Sequence, residues 1–68
     1  MKMIKITSEF IRLDALLKLT GTVTTGGQGK ILIQSGKVTV NGEICTARGK
    51  KLRSGDQVGF ENESFTVT

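Results

Sequence analysis

Four cationic side chains lie within six positions near the middle of the chain: Arg48, Lys50, Lys51 and Arg53. Like charges this close repel one another, and such a group is more easily held when phosphates neutralise it. Lysine and arginine are also the side chains that most often bind phosphate oxygens. The pattern therefore predicts a phosphate-binding loop, and its alternative is a solvated basic loop that only keeps the protein soluble.

A second candidate anion site begins at Thr25-Gly26-Gly27-Gln28. This sequence fits a capping box, in which the Thr25 hydroxyl accepts from the amide of Gln28 and the glutamine reaches back, so a helix from about Gly26 to Ser35 is predicted. Small residues at a helix start leave unpaired amides open to a phosphate. Lys30 in the first turn suits a bound anion better than it suits helix stability, because the helix dipole disfavours a cation there. The alternative is an exposed lysine after a flexible Gly-Gly turn.

Positive charge is concentrated between these two candidates. Of the formal net charge of +4, residues 26–53 carry six basic residues and one acidic residue, whereas residues 54–68 carry three acidic residues and no basic one. A concentrated basic region is the electrostatic footprint of a polyanion binder. Lys18 and Lys37 are expected at the rim of the same surface.

The composition excludes most enzyme chemistry. A chain of 68 residues with no His and a single Cys lacks the commonest general base, serine–histidine or cysteine–histidine nucleophiles and a zinc-binding cluster. We therefore expect no enzyme activity, no cofactor and no metal. Asp14 and Asp56 are interpreted as structural, and Cys45 as a buried, inert thiol.

The length predicts one domain over residues 1–68, and the N-terminus has no signal-peptide core. No apolar run approaches the roughly 20 residues that span a bilayer, so a cytoplasmic protein that makes no membrane contact is expected.

The elements that position these residues are short. Lys2–Thr7 alternates between polar and apolar residues and predicts a strand. A helix is predicted next, because one face repeats at helical spacing through Leu13, Leu16, Leu17 and Thr20. This helix begins either after Ser8 or near Arg12 and ends at Gly21. Gly29, Leu32 and Ile33 are predicted to form the core face of the second helix, with Gly29 allowing close approach to the first. Lys37–Cys45 contains Asn41-Gly42, the preferred type I′ turn, and predicts a hairpin. A basic loop over Thr46–Arg53 is followed by strands at Gln57–Glu61 and Ser64–Thr68, joined across Asn62-Glu63. The predicted fold class is α+β, with two short helices packed on a small, bent antiparallel sheet.

Five motifs occur in a specific order: Arg12-Leu13-Asp14-x-Leu16-Leu17, a Gly-bearing turn, Leu32-Ile33-x-x-Gly36, Lys37-Val38-x-Val40-Asn41-Gly42 and Leu52-x-x-Gly55-Asp56-x-Val58. Together they resemble the S-four (alpha-L) RNA-binding domain over residues 12–58, and more loosely beyond. Gly26-Gly27-Gln28-Gly29-Lys30 and Arg48-Gly49-Lys50-Lys51-Leu52 are similar to a subgroup of small, stand-alone bacterial proteins of this type.

The resemblance implies that both helices and the following loop form one RNA-facing surface. The RNA-binding residues expected on it are Gly26, Gly27, Gln28, Lys30, Arg48, Lys50, Lys51, Arg53, Lys18 and Lys37. Many such domains carry Ser-Arg where this chain has Gly27-Gln28, so a contact made elsewhere by that arginine must be made differently here, with Lys30 a candidate. Gly29 replaces a more usual alanine, at a cost to the helix of about 1 kcal/mol.

The aromatic residues favour one class of RNA. Phe10, Phe60 and Phe65 are the only aromatic residues, and their apolar neighbours place them in the core, which leaves no stacking platform for single-stranded bases.

Taken together, these features lead us to expect a non-catalytic, monomeric protein that contacts structured RNA, ribosomal RNA or tRNA, in connection with the ribosome or translation. The alternative is a protein-interaction module that uses a sheet edge or the acidic C-terminal face.

Overall fold

A computed structural model describes residues 2–61 and 63–68, and it has the predicted α+β class. Strands β1, β7, β6, β3 and β4 form one sheet in that order, and β2 pairs with β5 in a second. The elements are β1 Lys2–Ile4, β2 Ile11–Arg12, α1 Leu13–Leu19, α2 Gly26–Gln34, β3 Val38–Val40, β4 Glu43–Ile44, β5 Lys51–Leu52, β6 Gln57–Phe60 and β7 Glu63–Val67.

Helix α1 presents the predicted leucine face to the core. Leu13, Leu16 and Leu17 are fully buried, and Thr20 at the C-cap is half-buried. Gly21 follows with a φ of 81°, the left-handed conformation that ends a helix at glycine. The helix begins at Leu13, so the start near Arg12 is confirmed. Ser8 does not cap it, because its hydroxyl donates instead to the carbonyl of Phe10 at 2.8 Å.

Helix α2 begins at Gly26, as predicted, and ends at Gln34, one residue short of the predicted Ser35, which is its C-cap. Ile33 and Gly29 are buried and Leu32 is half-buried. A Cβ atom placed on Gly29 would lie 3.6 Å from Cγ2 of Val23 and 3.8 Å from Cβ of Asp14. These are ordinary van der Waals separations, so α2 approaches α1 here but does not require glycine to do so.

The predicted hairpin is present, with Val40 opposite Glu43 and a two-residue turn between them. Asn41 and Gly42 have φ angles of 53° and 87°, which are the positive values that a type I′ turn requires at both central positions. β4 is only two residues long, although the amide of Cys45 continues the ladder by donating to the carbonyl of Val38 at 3.0 Å.

The strands differ from the prediction in four places, one of which is that β6 ends at Phe60 rather than Glu61. β1 is three residues long and runs parallel to β7, so the antiparallel sheet gains one parallel edge strand. β5 lies inside the predicted basic loop, where it pairs with β2. β7 begins at Glu63 rather than Ser64, and the predicted junction residue Asn62 lies outside the described residues. The first two pairings join segments distant in the chain, for which no local sequence signal exists.

The core consists of aliphatic side chains from both helices, from Val23 between them and from strands β3, β5, β6 and β7. Phe65 is also buried, as predicted, whereas Phe10 and Phe60 are only half-buried. Phe60 packs against the core from its edge, and the ammonium group of Lys51 lies over the ring of Phe10. Within residues 2–61 and 63–68, no helix is long and apolar enough to cross a bilayer.

Candidate nucleic-acid interface

The segment Arg48–Arg53, here called the basic loop, is attached to the start of α1 by its backbone. The amide of Leu13 donates to the carbonyl of Lys50 at 2.9 Å, and the amide of Asp14 donates to the carbonyl of Arg48 at 3.1 Å. Amides in the first turn of a helix have no intrahelical acceptor, and the N-cap side chain of Arg12 supplies none. The loop carbonyls therefore cap α1, while the side chains of Arg48 and Lys50 remain exposed.

Arg12 lies over the basic loop and was not predicted as a site residue. Its Nη2 atom is 3.2 Å from Oδ2 of Asp14, and a Cβ atom on Gly49 would lie 3.6 Å from the same nitrogen. The Arg12 side chain is nevertheless 52% exposed, so it can still meet a ligand. The sequence signal was its place in Arg12-Leu13-Asp14, where an arginine two residues before an aspartate at a helix start can form this pair.

Lys18 is brought to the same place by helical geometry. It lies four residues after Asp14 on α1, and residues at this spacing share a helix face. Arg12, Asp14, Ala15 and Lys18 line one shallow groove beside the basic loop. The structure thus places Lys18 next to Arg12, rather than on an unrelated part of the surface.

The start of α2 has half of the predicted capping box. The amide of Gln28 donates to Oγ1 of Thr25 at 3.2 Å, as predicted. Oε1 of Gln28 reaches one residue further back, accepting from the amide of Thr24 at 2.9 Å and from its hydroxyl at 2.7 Å. In the described part of the chain the amide of Gly27 has no acceptor, so a donor remains available to an anion.

Asp14 contacts both halves of the predicted surface. Its amide donates to the basic loop, and its Cβ and carbonyl lie within 3.9 Å of the position that a Cβ on Gly29 would occupy. The start of α2 and the basic loop therefore both lie against the start of α1. Asp14 is therefore the residue through which the first turn of α1 contacts both segments.

Two cations of the basic loop have additional contacts. Nζ of Lys51, on β5, lies 4.9 Å from the ring centroid of Phe10, a cation–π contact that covers part of this half-buried ring. The amide of Arg53 donates to Oδ2 of Asp56 at 2.8 Å, which holds the end of the loop. Both side chains stay exposed at the edge of the surface.

Lys37 lies apart from the basic loop. It lines a groove along α2 together with Gln28, Ile31 and Phe60, and Ile31 is 72% exposed there. The structure therefore joins Lys37 to the Gln28 side of the surface and not to the loop cations.

Asp56 has the structural role that the sequence predicts. The hydrogen bond from the amide of Arg53 lowers the pKa of Asp56, and the side-chain amide of Asn41 and the charges of Lys50 and Arg53 lower it further. Asn41 donates to Oδ1 of Asp56 at 3.1 Å and accepts from the amide of Gln57 at 3.0 Å. The aspartate thus connects the β3–β4 hairpin to the turn that ends the basic loop.

Cys45 differs from its prediction, because it is half-buried rather than buried. Its thiol lies 3.7 Å from the carbonyl of Ala47, to which it donates. Cys45 directly follows β4, the last strand in the order of the sheet, and packs against the core as a partly buried side chain.

Among the residues that the structure describes, most of the cations on this surface have no acidic partner. Across residues 2–61 and 63–68, the ion pairs are Lys2 with Glu63, at 3.6 Å, and Arg12 with Asp14. The cations left without a carboxylate within 4.0 Å include Lys18, Lys30, Arg48, Lys50, Lys51 and Arg53. The same residues contain no group of three or more potential metal ligands. Together, the geometry and the charge suit an extended polyanion.

Comparison with known proteins places these features in a family. A family model described as "S4 domain" matches residues 4–68. The chain is 40% identical over 65 residues to "Probable ribosome maturation protein RlbA" of Bacillus subtilis (strain 168), covering 94% of this chain and 92% of that protein. It is 39% identical over 57 residues to "Putative RNA-binding protein YbcJ" of Escherichia coli (strain K12), covering 84% and 81% of the two chains.

A solved structure has a similar fold. The crystal structure of a pseudouridylate synthase superposes with a TM-score of 0.73 and 28% identity, over 82% of this chain. The chain spans only 24% of the length of that synthase. The similarity is therefore to one part of the enzyme.

Proposed function

The chain belongs to the S4 domain family, and on this basis we propose that it is a non-catalytic protein that binds structured RNA, with ribosomal RNA as its main target. The observation that carries the proposal is the attachment of the basic loop to α1. Two main-chain hydrogen bonds fix Arg48 and Lys50 beside Arg12 and Lys18, and three of these four cations have no carboxylate partner among the residues described. Such a fixed, unneutralised group attracts phosphates strongly, because binding releases condensed counterions.

The proposed contacts form one main surface and one extension. The main surface contains Arg12, Lys18, Gly26, Gly27, Gln28, Lys30, Arg48, Lys50, Lys51 and Arg53. Lys37 extends it along α2, beyond Gln28. Backbone amides at the start of α2 and the basic side chains both act on phosphate oxygens, which position an RNA without reading its sequence.

Structured RNA fits better than a single strand. Phe65 is buried, the ring of Phe10 is partly covered by Lys51, and the half-buried Phe60 packs against the core. The surface therefore lacks the row of exposed aromatic rings on which single-stranded bases stack. The names of the two relatives, an RNA-binding protein and a ribosome maturation protein, support RNA and the ribosome as partners and the cytoplasm as the location. We propose further that residues 1–68 act as one monomeric domain.

A non-catalytic role is supported by the chemistry of the surface. It combines cations, glycines and an amide side chain, but no histidine and no nucleophile next to a base. The similarity to the synthase covers only 24% of that longer enzyme. The domain is thus proposed to supply binding and not turnover.

The experiment is affinity capture of the tagged chain from a bacterial lysate, followed by sequencing of the bound RNA. We expect enrichment of ribosomal RNA, complete loss of the RNA after RNase treatment, and loss of capture in the Arg48→Glu/Lys50→Glu/Lys51→Glu variant. Lys5→Glu, which reverses an exposed charge just after β1, is the control and should retain capture. Capture of a protein that survives RNase, with no enriched RNA, would contradict the proposal and favour a protein-interaction module.

A further inference from the structure

A pocket lies between the β3–β4 hairpin and the start of the basic loop. Its lining includes Val40, Asn41, Glu43, Ile44, Thr46 and Lys50. Lys50 belongs to the basic loop and its carbonyl caps α1, so the pocket is continuous with the proposed RNA surface.

The polar groups in this pocket fall into two sets. Asn41 is fully engaged, because its side chain bonds both Asp56 and Gln57. The side chains of Glu43, Thr46 and Lys50 have no hydrogen-bond or ion-pair partner in the described ranges 2–61 and 63–68. The pocket thus offers a free carboxylate, a free hydroxyl and a free ammonium group.

One wall of the pocket is an exposed aliphatic side chain. Ile44 is 68% exposed, with its Cγ2 atom near Gly36 at the end of α2. Water contact with a branched aliphatic surface is unfavourable, and the cost is recovered when a flat apolar group covers it. The face of a nucleobase is such a group.

The carboxylate of Glu43 decides which part of an RNA can enter. It repels a phosphate, so the pocket as a whole is not an anion site. It accepts hydrogen bonds from an amino group on a base edge, and it disfavours a carbonyl oxygen at the same position. A nucleotide fits both charged groups if its base bonds the Glu43 carboxylate inside the pocket while its phosphate lies at the Lys50 ammonium group.

We propose that this pocket holds one unpaired nucleotide of the bound RNA, and that it prefers cytidine to uridine. The two pyrimidines have the same size but differ at one position, where cytosine carries an amino group and uracil carries a carbonyl oxygen. Paired bases of an RNA helix are stacked and are not accessible to such a pocket, so the nucleotide must come from a bulge or loop. The inference rests on the proposed function, because Lys50 would serve both.

The test uses three RNA hairpins that share one stem and differ only in a single bulged cytidine, a bulged uridine or no bulge. Wild-type protein should bind the cytidine bulge at least about fivefold more tightly than the uridine bulge, since one base-edge contact commonly gives this much discrimination. Glu43→Ala should bring the two bulged hairpins within about twofold of each other. Ile44→Ser should lower the affinity of both bulged hairpins toward that of the unbulged one.

Arg48→Ala is the matched control, because Arg48 is exposed and does not line the pocket. It should weaken all three hairpins by the same factor. Equal affinity of wild-type protein for the three hairpins, or a cytidine preference that persists in Glu43→Ala, would contradict a nucleotide site in this pocket. Either result would leave the proposed function intact. Absence of salt-sensitive binding both to the hairpins and to ribosomal RNA would instead contradict the proposed function itself.

Discussion

The amide of Asp14 donates a 3.1 Å hydrogen bond to the carbonyl oxygen of Arg48. This bond joins the first turn of α1 to a loop that follows 34 positions later in the chain. With the neighbouring bond from Leu13 to Lys50, it makes the position of the loop cations a consequence of helix capping. The fold and the candidate interface therefore depend on the same contacts.

Asp14→Ala should lower the stability of the protein. The carboxylate accepts from the amide of Ala15 at 2.8 Å and pairs with Arg12, and it also lies at the favourable end of the helix dipole. Chemical denaturation should show a loss of about 1 kcal/mol, as expected for an acidic side chain in the first turn of a helix. Asp14→Asn is the control, because it keeps an acceptor for Ala15 and should lose less. An unchanged midpoint in Asp14→Ala would show that these contacts add nothing.

Gly29→Ala should raise the stability by about 1 kcal/mol, because the added methyl group meets only ordinary contacts and alanine favours the helix. Gly59→Ala is the opposite case. A Cβ there would lie 2.6 Å from Oγ1 of Thr39 on the neighbouring strand, so the Thr39 side chain or the strand must shift and stability should fall. Thermal unfolding of both variants checks the pair, and a destabilised Gly29→Ala variant would contradict the helix packing described above.

The lowered pKa of Asp56 predicts that the folded protein loses stability in acid. Its pKa is lowered in the folded protein, so its ionisation contributes stability that is fully present above about pH 5. That contribution is lost as the pH falls below the ordinary value of 3.8 and through the lower folded pKa. Asp56→Asn should therefore be less stable than wild type at neutral pH, and the difference should shrink as the pH falls toward 2. Unfolding curves measured across this range test the prediction, and a difference that is independent of pH would contradict it.

Because Lys37 lies in a groove away from the basic loop, we expect it to contribute less to RNA affinity than Lys18 does. Lys18→Glu places a negative charge beside Arg12 and the basic loop, so it should weaken RNA binding by about tenfold or more. Lys37→Glu changes the same charge near Phe60 and should weaken binding by a smaller factor. Filter binding with ribosomal RNA compares the two, and equal losses would mean that the RNA covers both regions alike.

The sequence predicted those features that depend on neighbouring residues. The leucine face of α1, the glycine that follows α1 and the Asn41-Gly42 turn all arise from local conformational preferences, and all were confirmed. Two pairings were not predicted, because β1 with β7 and β2 with β5 join residues that only the fold brings together. The bond from Thr24 to Oε1 of Gln28 was also not predicted, because other nearby amides could have bonded the same oxygen. No periodicity in the chain encodes them.

In the candidate interface, too, the local features were predicted and the contacts that depend on the fold were not. The cations themselves were evident from their spacing, but the role of Arg12 was not, because its pairing with Asp14 and its place over Gly49 appear only once the loop folds back on α1. Phe10 was predicted in the core, yet it lies at the edge, where Lys51 covers it. Both differences come from the return of the basic loop to the start of α1.

The most direct test of the central claim is the salt dependence of affinity for ribosomal RNA in wild type, Arg48→Ala, Lys50→Ala and Lys5→Ala. If the loop cations contact phosphates, the first two variants should bind more weakly, and each should reduce the slope of log affinity against log salt by about one. Lys5→Ala should leave the slope unchanged. Equal slopes in all four proteins, or a loss in Lys5→Ala as large as in the loop variants, would contradict a phosphate-binding surface at the basic loop.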